Sequence, residues 1–90
     1  MTTRTTSRTV VSHGAELDFE TIGEGYAPLR VRPFERTLIR IIAGIVVLTR
    51  HGEDRLMGAG DEAIVEAGVR YRLASACGDS RVVMGYRPAA

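Results

Sequence analysis

Residues 56–72 read LMGAGDEAIVEAGVRYR, and they carry the strongest indication of the fold in this sequence. Glycines mark two turns in it, because glycine adopts backbone conformations with positive φ that other residues resist. The apolar residues 63–65 between the turns include two β-branched side chains and are typical of a buried strand. Over residues 69–73, three apolar side chains alternate with two arginines, so one face of a second strand is apolar and the other is solvated. The stretch therefore predicts a corner of a β-sandwich or β-barrel.

The rest of the chain repeats this pattern of short strands separated by turns. Alternating or β-branched segments are interrupted by glycine or proline about every eight residues. No long window keeps the spacing of an amphipathic helix without an interrupting glycine. Residues 16–22 alternate polar and apolar, which predicts an edge strand with Leu17, Phe19 and Thr21 facing inward. The whole chain is therefore predicted to be all-β.

Length and charge limit the class of protein. Ninety residues form one domain, and we expect residues 1–8 to be a disordered polar tail and residues 9–90 to be the folded unit. A domain of this size gains from burying surface against a second copy, which favours a homodimer. The formal net charge of +1 argues against nucleic-acid and anionic-membrane partners, because both require a basic surplus.

Cysteine content and hydropathy predict a soluble protein of the cytoplasm. Cys77 is the single cysteine, which excludes an intrachain disulfide and a paired-cysteine metal or redox site. The longest apolar run, residues 41–48, is far too short to span a bilayer. The polar start of the chain lacks the apolar segment of a secretory signal.

The glycine spacing resembles the second motif of the cupin superfamily, G-x5-P-x-G-x2-H-x3-N. In this sequence the motif falls on five positions: Gly60, Glu66, Gly68, Tyr71 and Ser75. Both glycines are kept, whereas the proline, the metal-binding histidine and the asparagine are replaced. The resemblance extends over roughly residues 29–86 and implies a single-domain cupin, that is, a double-stranded β-helix or jelly-roll barrel.

The first cupin motif, G-x5-H-x-H-x3,4-E-x6-G, is matched at its end. Its closing glycine corresponds to Gly44, and counting back places Thr37 at the position of the glutamate ligand. The two histidines fall on one of two pairs of residues: Val31 and Pro33 with the shorter spacing, or Arg30 and Arg32 with the longer.

The replaced ligands have a chemical consequence. A cupin metal site needs imidazole nitrogens and a carboxylate that converge on one ion. Arginine is permanently positive and has no usable lone pair, valine and proline offer no ligand atom, and threonine and tyrosine are weak ligands. Under either spacing the ligand set implied by the resemblance is absent. We therefore predict that the domain binds no transition metal and no other cofactor.

The orientation of two arginines decides the character of the predicted pocket. Arg30 and Arg32 lie two residues apart and therefore share a strand face. If that face looks into the barrel, an anionic ligand is expected to neutralise the pair. If it looks outward, Leu29 and Val31 fill the core, and the apolar character of these two residues favours this second interpretation. The lumen is then predicted to be lined by Val31, Thr37, Ile39, Ile41, Val69 and Tyr71.

Three functions are compatible with these residues. The first is a metal-independent module that binds a small organic molecule in the barrel lumen, with polar contacts from Tyr71, Thr37 and possible contacts from the two arginines. The second is a metal-free isomerase, epimerase or cyclase, as some cupins are. The third is a structural or assembly module with a filled lumen.

The enzyme hypothesis needs a second titratable group beside Tyr71. The sequence offers Glu35, Glu66 and His13 as candidates, and none of them can be assigned a catalytic role from the sequence. For Tyr71 itself, the sequence favours a core tyrosine whose hydroxyl bonds to the backbone over a hydroxyl that lines a pocket.

Overall fold

In the part of the chain that the structure describes, eight β-strands form two antiparallel sheets. The computed structural model describes residues 6–12 and 15–89, with side chains from residue 17 onward. The strands are β1 (Thr6–Ser12), β2 (Ala15–Ile22), β3 (Glu35–Ala43), β4 (Ile45–Arg50), β5 (Glu53–Gly58), β6 (Glu62–Val65), β7 (Tyr71–Ser75) and β8 (Ser80–Pro88). The five-stranded sheet has the order β1-β2-β8-β3-β6, and the three-stranded sheet has the order β5-β4-β7. The described residues contain no helix, so the predicted all-β jelly roll is confirmed.

The core lies between the two sheets and follows the alternation of each strand. Along β3, for example, Thr37, Ile39 and Ile41 are buried, whereas the residues between them are exposed. Strands β4, β7 and β8 contribute their alternate residues in the same way. The buried apolar side chains are Ile22, Ile39, Ile41, Val46, Leu48, Met57, Ala63, Val65, Tyr71, Leu73, Val82, Met84 and Tyr86.

A tight packing contact closes one end of the barrel, at the turn between β3 and β4. Gly44 has φ +91°, and a β-carbon added there would lie 2.9 Å from the Cα of Ser80. The Ser80 hydroxyl is itself fixed, because it lies 2.7 Å from the Ser75 hydroxyl and donates to the carbonyl of Ile45 at 3.2 Å. This position therefore requires glycine both for its backbone conformation and for space.

The N-terminal region differs from the prediction. Strand β1 begins at Thr6, so residues 6–8 of the predicted tail are part of a strand, while residues 1–5 lie outside the described residues. Because β1 pairs with the free side of β2, β2 is not an edge strand.

The inward face of β2 is also the opposite of the predicted one. Glu20 and Ile22 are buried, whereas Phe19 is 40% exposed on the outer face of the sheet. The prediction that Leu17, Phe19 and Thr21 face inward was therefore wrong. The reason is an ion pair at the mouth of the barrel, where Glu20 on the acidic face of β2 contacts Arg30.

Among the described residues, none form a helix with the length and apolar character needed to cross a membrane.

Candidate functional site

A cavity of about 430 Å³ opens at the end of the barrel where β7 begins and β8 ends. We call it the mouth cleft. Its polar walls are Asp18, Glu20, Arg30, Arg32, Tyr71 and Tyr86. Its rim is Pro28, Leu29 and Val31, from the segment that connects β2 to β3.

A short antiparallel bridge holds the first arginine in the cleft. The backbone N–H of Arg30 donates to the carbonyl of Tyr71 at 2.8 Å, and the N–H of Tyr71 donates to the carbonyl of Arg30 at 3.0 Å. These two bonds align the segment beside the start of β7. The side chain of Arg30 therefore points into the space between the sheets.

Arg30 forms a bidentate ion pair with Glu20 inside the cleft. Nη2 lies 2.9 Å from Oε1 and Nη1 lies 3.1 Å from Oε2, which is the fork-like geometry of a strong charge-assisted pair. The two side chains are only 13% and 4% exposed. Burial lowers the pKa of Arg30, but the hydrogen bonds and charge of Glu20 outweigh that effect and raise it above its ordinary value. The arginine is therefore charged and neutralised from within the protein.

The second arginine is more accessible. Its guanidinium carbon lies 3.7 Å from the centroid of the Tyr86 ring, a cation–π contact, and its Nη1 donates to Glu35 at 3.1 Å. The side chains of Arg32 and Glu35 are 40% and 36% exposed, so this ion pair is weak and can be replaced by a ligand.

Two tyrosine hydroxyls meet at one methionine beneath the arginines. Tyr71 donates to Sδ of Met84 at 3.9 Å, and Tyr86 donates to the same sulfur at 3.8 Å. Burial raises the pKa of both phenols, although Arg30 and a hydrogen bond from Thr37 partly oppose this for Tyr71. Both tyrosines are therefore neutral near pH 7, and their oxygens can still accept a hydrogen bond.

The predicted outward orientation of the arginines was wrong. Leu29 and Val31 are 48% and 45% exposed, whereas Arg30 and Arg32 face the cleft. The physical reason is Glu20, because a buried carboxylate on β2 offsets the cost of burying an arginine opposite it. The segment is not a full strand: it forms an isolated bridge to Tyr71, and the carbonyl of Arg32 accepts from the N–H of Gly68 at 2.8 Å.

The predicted lumen and ligand-binding residues fall into three groups. Thr37, Ile39 and Ile41 are almost completely buried and belong to the packed interior. Tyr71, Val31 and the two arginines line the mouth cleft instead. Val69 is partly buried and packs against the core. The open space therefore lies at the mouth of the barrel, above a filled interior.

The prediction missed three of the polar residues that line the cleft, Asp18, Glu20 and Tyr86, and also Pro28 and Leu29 at its rim. A signal for the acidic pair was present, because residues 16, 18 and 20 are all acidic and share one face of β2. That face is complementary to the one on which Arg30 and Arg32 lie. Tyr86 follows the inward alternation of β8, which the sequence also contains.

The side chains at the cupin ligand positions do not fit a metal ion. With the longer spacing of the first motif, these positions are Arg30, Arg32, Thr37 and Tyr71, and two of them carry a fixed positive charge. Within residues 17–89, no three His, Cys, Asp or Glu side chains cluster as metal ligands would. The metal-free character of the domain stays a prediction that the donor chemistry supports.

Two of the candidate catalytic groups form ion pairs at the surface. Glu35 pairs with Arg32, and Glu66 pairs with Arg36 at 3.2 Å. The third candidate, His13, lies outside the described residues. No acid–base partner for Tyr71 is identified among these three.

Comparison with known proteins supports the fold. No family model matches the sequence, and no curated protein matches it. Among solved structures, the cupin domain of Cnp3 from Schizosaccharomyces pombe superimposes with a TM-score of 0.84 at 12% identity, over 96% of this chain and 61% of that one. This chain thus spans about three fifths of the length of the Cnp3 structure.

Two bacterial proteins are similar to the same degree. KdgF from a Halomonas species gives a TM-score of 0.84 at 12% identity, over 97% of this chain and 80% of that one. A cupin superfamily protein from Desulfitobacterium hafniense gives 0.82 at 15% identity, over 97% and 79%. Identities this low show the fold alone. The chain therefore has a cupin-like fold, a double-stranded β-helix of two antiparallel sheets.

Proposed function

We propose that the domain binds a small polar organic molecule of zero net charge in the mouth cleft, without a metal ion. The observation that carries this proposal is the bidentate pair between Arg30 and Glu20. Because the protein itself supplies the counter-ion of Arg30, this buried arginine does not require an anionic ligand.

The charges of the cleft support a neutral or zwitterionic ligand. Two acidic and two basic side chains line it, and their formal charges cancel. An anion that approached Arg30 would have to displace Glu20 and leave a carboxylate beside the ligand. Like charges in a partly desolvated space repel strongly, so net negative molecules are disfavoured.

The remaining groups can recognise a polar molecule. Arg32 donates from the exposed side of the cleft, Asp18 accepts, and Tyr71 and Tyr86 lie in its walls. The volume of about 430 Å³ is within the usual range of ligand pockets, roughly 300–1,000 Å³. A cavity of this size favours ligand binding over the purely structural alternative.

The metal-free enzyme is a weaker alternative. General acid–base catalysis works best with a pKa near the working pH, and burial raises the pKa of both tyrosines away from neutrality.

The cytoplasmic location stays a prediction from the sequence.

A charge-matched set of probes tests the proposal. Glucose, gluconate and glucose 6-phosphate have similar size and carry zero, one and about two negative charges. In a titration followed by amide chemical shifts, glucose should shift the residues of the cleft most at equal concentration. Tighter binding of either anion to the unmodified protein would contradict the proposal, and so would three probes that leave the cleft signals unmoved.

We also propose that two copies pair through the outer face of the five-stranded sheet. From residue 17 onward, four large apolar side chains lie exposed on that face: Phe19, Leu38, Ile42 and Ile64. The five strands lie about 4.8 Å apart and are four to nine residues long, so together they present roughly 600 Å², about three quarters of the roughly 800 Å² per partner of a stable interface.

Part of the charge on this face is already paired. Arg36 pairs with Glu66 and Arg40 pairs with Glu62 within one copy. Arg81 and Arg87 of β8 are also exposed on this face. A second copy would therefore meet an apolar band flanked by two ion pairs and two further arginines.

A further inference from the structure

A second cavity of about 190 Å³ lies directly beside the mouth cleft. We call it the side pocket. The two cavities share Pro28 and Arg30 as walls. At the base of the side pocket lie Ile22 and Leu73, which are 5% and 2% exposed, and the ring of Tyr26 stands at its edge.

The polar groups around the side pocket are largely committed to other partners. The carboxylate of Glu24 accepts from the N–H of Gly78. The carbonyl of Gly23 accepts from the N–H of Ser75 at 3.1 Å, and two nitrogens of the Arg30 guanidinium bond to Glu20. The surface that remains for a guest consists mostly of carbon atoms. This distinguishes the side pocket from the mouth cleft, whose walls are charged or hydroxylated.

We propose that the side pocket is an apolar subsite for a short aliphatic group. The natural ligand is then amphipathic, with its polar end in the mouth cleft and a short unbranched hydrocarbon end against Ile22 and Leu73. The assignment of the polar end rests on the function proposed above. The assignment of the apolar subsite depends only on the residues of the side pocket.

The shared wall carries an unused hydrogen-bond donor, which supports this connection. Nε of Arg30 is buried and has no acceptor among the described residues. An unsatisfied buried donor is costly, so a ligand oxygen at the junction that reaches Nε through a small shift of the Arg30 side chain would stabilise the complex by accepting from it. An ether, ester or hydroxyl oxygen next to the aliphatic group meets this requirement.

Straight-chain alcohols from propanol to hexanol test the subsite without relying on the mouth cleft. Their affinity should rise about three- to fourfold with each of the first added methylenes, as burial of a CH₂ group predicts. The amide signals of Ile22, Gly23 and Leu73 should move, and those of Asp18 and Val31 should move less.

Two exposed aromatic residues provide a matched pair of variants. Tyr26 is 87% exposed and borders the side pocket, whereas Phe34 is 82% exposed and borders neither cavity. Neither ring is part of the core, so both variants should fold. Tyr26→Ala should weaken hexanol binding by roughly threefold, and Phe34→Ala should leave it unchanged.

The outcomes separate this inference from the proposed function. Affinity that does not depend on chain length, or equal loss in both variants, would overturn the apolar subsite even if glucose binds in the mouth cleft. If alcohols bind in the side pocket but glucose does not bind in the mouth cleft, the apolar subsite is upheld and the proposed polar end of the ligand is contradicted.

Discussion

At the scale of single residues, replacing Glu20 by glutamine removes the carboxylate that neutralises Arg30 and keeps nearly the same side-chain shape. A buried guanidinium is then left without its counter-ion, and we expect a loss of about 2–4 kcal/mol in the free energy of unfolding. Urea denaturation measures this loss.

The exposed pair of Glu66 and Arg36 supplies the matched control. Glu66→Gln removes the same charge from side chains that are 63% and 52% exposed, and its cost should stay below about 1 kcal/mol. Equal losses in the two variants would show that the ion pair of Glu20 and Arg30 contributes no more to the free energy of unfolding than an exposed ion pair does.

The two buried tyrosines predict how stability depends on pH. Their pKa values are raised in the folded protein above the ordinary value of 10.0, so the folded state holds these protons more tightly than the unfolded state. Their contribution is complete below about pH 10 and is lost as the pH rises through and beyond that value. The free energy of unfolding should therefore fall above about pH 10.

The variant Tyr71→Phe tests that origin, because it removes one of the two ionising groups. Denaturation curves between about pH 9 and pH 11 should show a shallower fall than in the unmodified protein. If the free energy of unfolding falls equally steeply in the variant and in the unmodified protein, the pH dependence comes from other groups.

At the scale of elements, the turn between β3 and β4 fixes how the two sheets meet. Gly44→Ala adds a β-carbon against Ser80 at a positive φ, and Gly52→Ala adds one at φ +73° with no atom within 4 Å. The first change should cost several kcal/mol and the second about 1–2 kcal/mol, as the strained backbone alone requires. Thermal denaturation compares them, and similar melting temperatures would contradict the packing account.

Much of the fold could be predicted from local patterns. The spacing of Gly60, Gly68 and Gly44 and the alternation in β3 and β7 place strands and turns correctly, because each depends on neighbouring residues alone. The side chains that point into the barrel from these strands were therefore predicted correctly.

The candidate site could be predicted only in part. Tyr71 follows from alternation, but β2 and residues 29–32 each carry one apolar and one charged face. Considered separately, each apolar face should be buried. Considered together, the charged faces neutralise each other, and this long-range pairing of Glu20 with Arg30 determines which faces turn inward.

At the scale of the whole molecule, the homodimer proposed above assigns a role to the outer face of the five-stranded sheet. Leu38 is 41% exposed and lies beside Ile64 on that face. Leu38→Asp should halve the mass measured by light scattering after gel filtration, because a carboxylate would be buried without a partner.

An exposed leucine on the other sheet supplies the control for this experiment. Leu56 is 67% exposed and lies on β5, so Leu56→Asp should leave the mass unchanged. If the unmodified protein is monomeric at high concentration, the dimer is refuted. If only Leu56→Asp lowers the mass, the interface lies on the three-stranded sheet instead.

The ligand preference of the whole domain depends on the charge balance of the mouth cleft. Its most direct test is the ratio of the affinities for glucose and gluconate, measured by the same titration in the unmodified protein and in Glu20→Gln. We predict that the unmodified protein prefers glucose and that the variant, whose cleft carries one extra positive charge, shifts at least about tenfold toward gluconate. A ratio that is the same in both proteins would contradict the account.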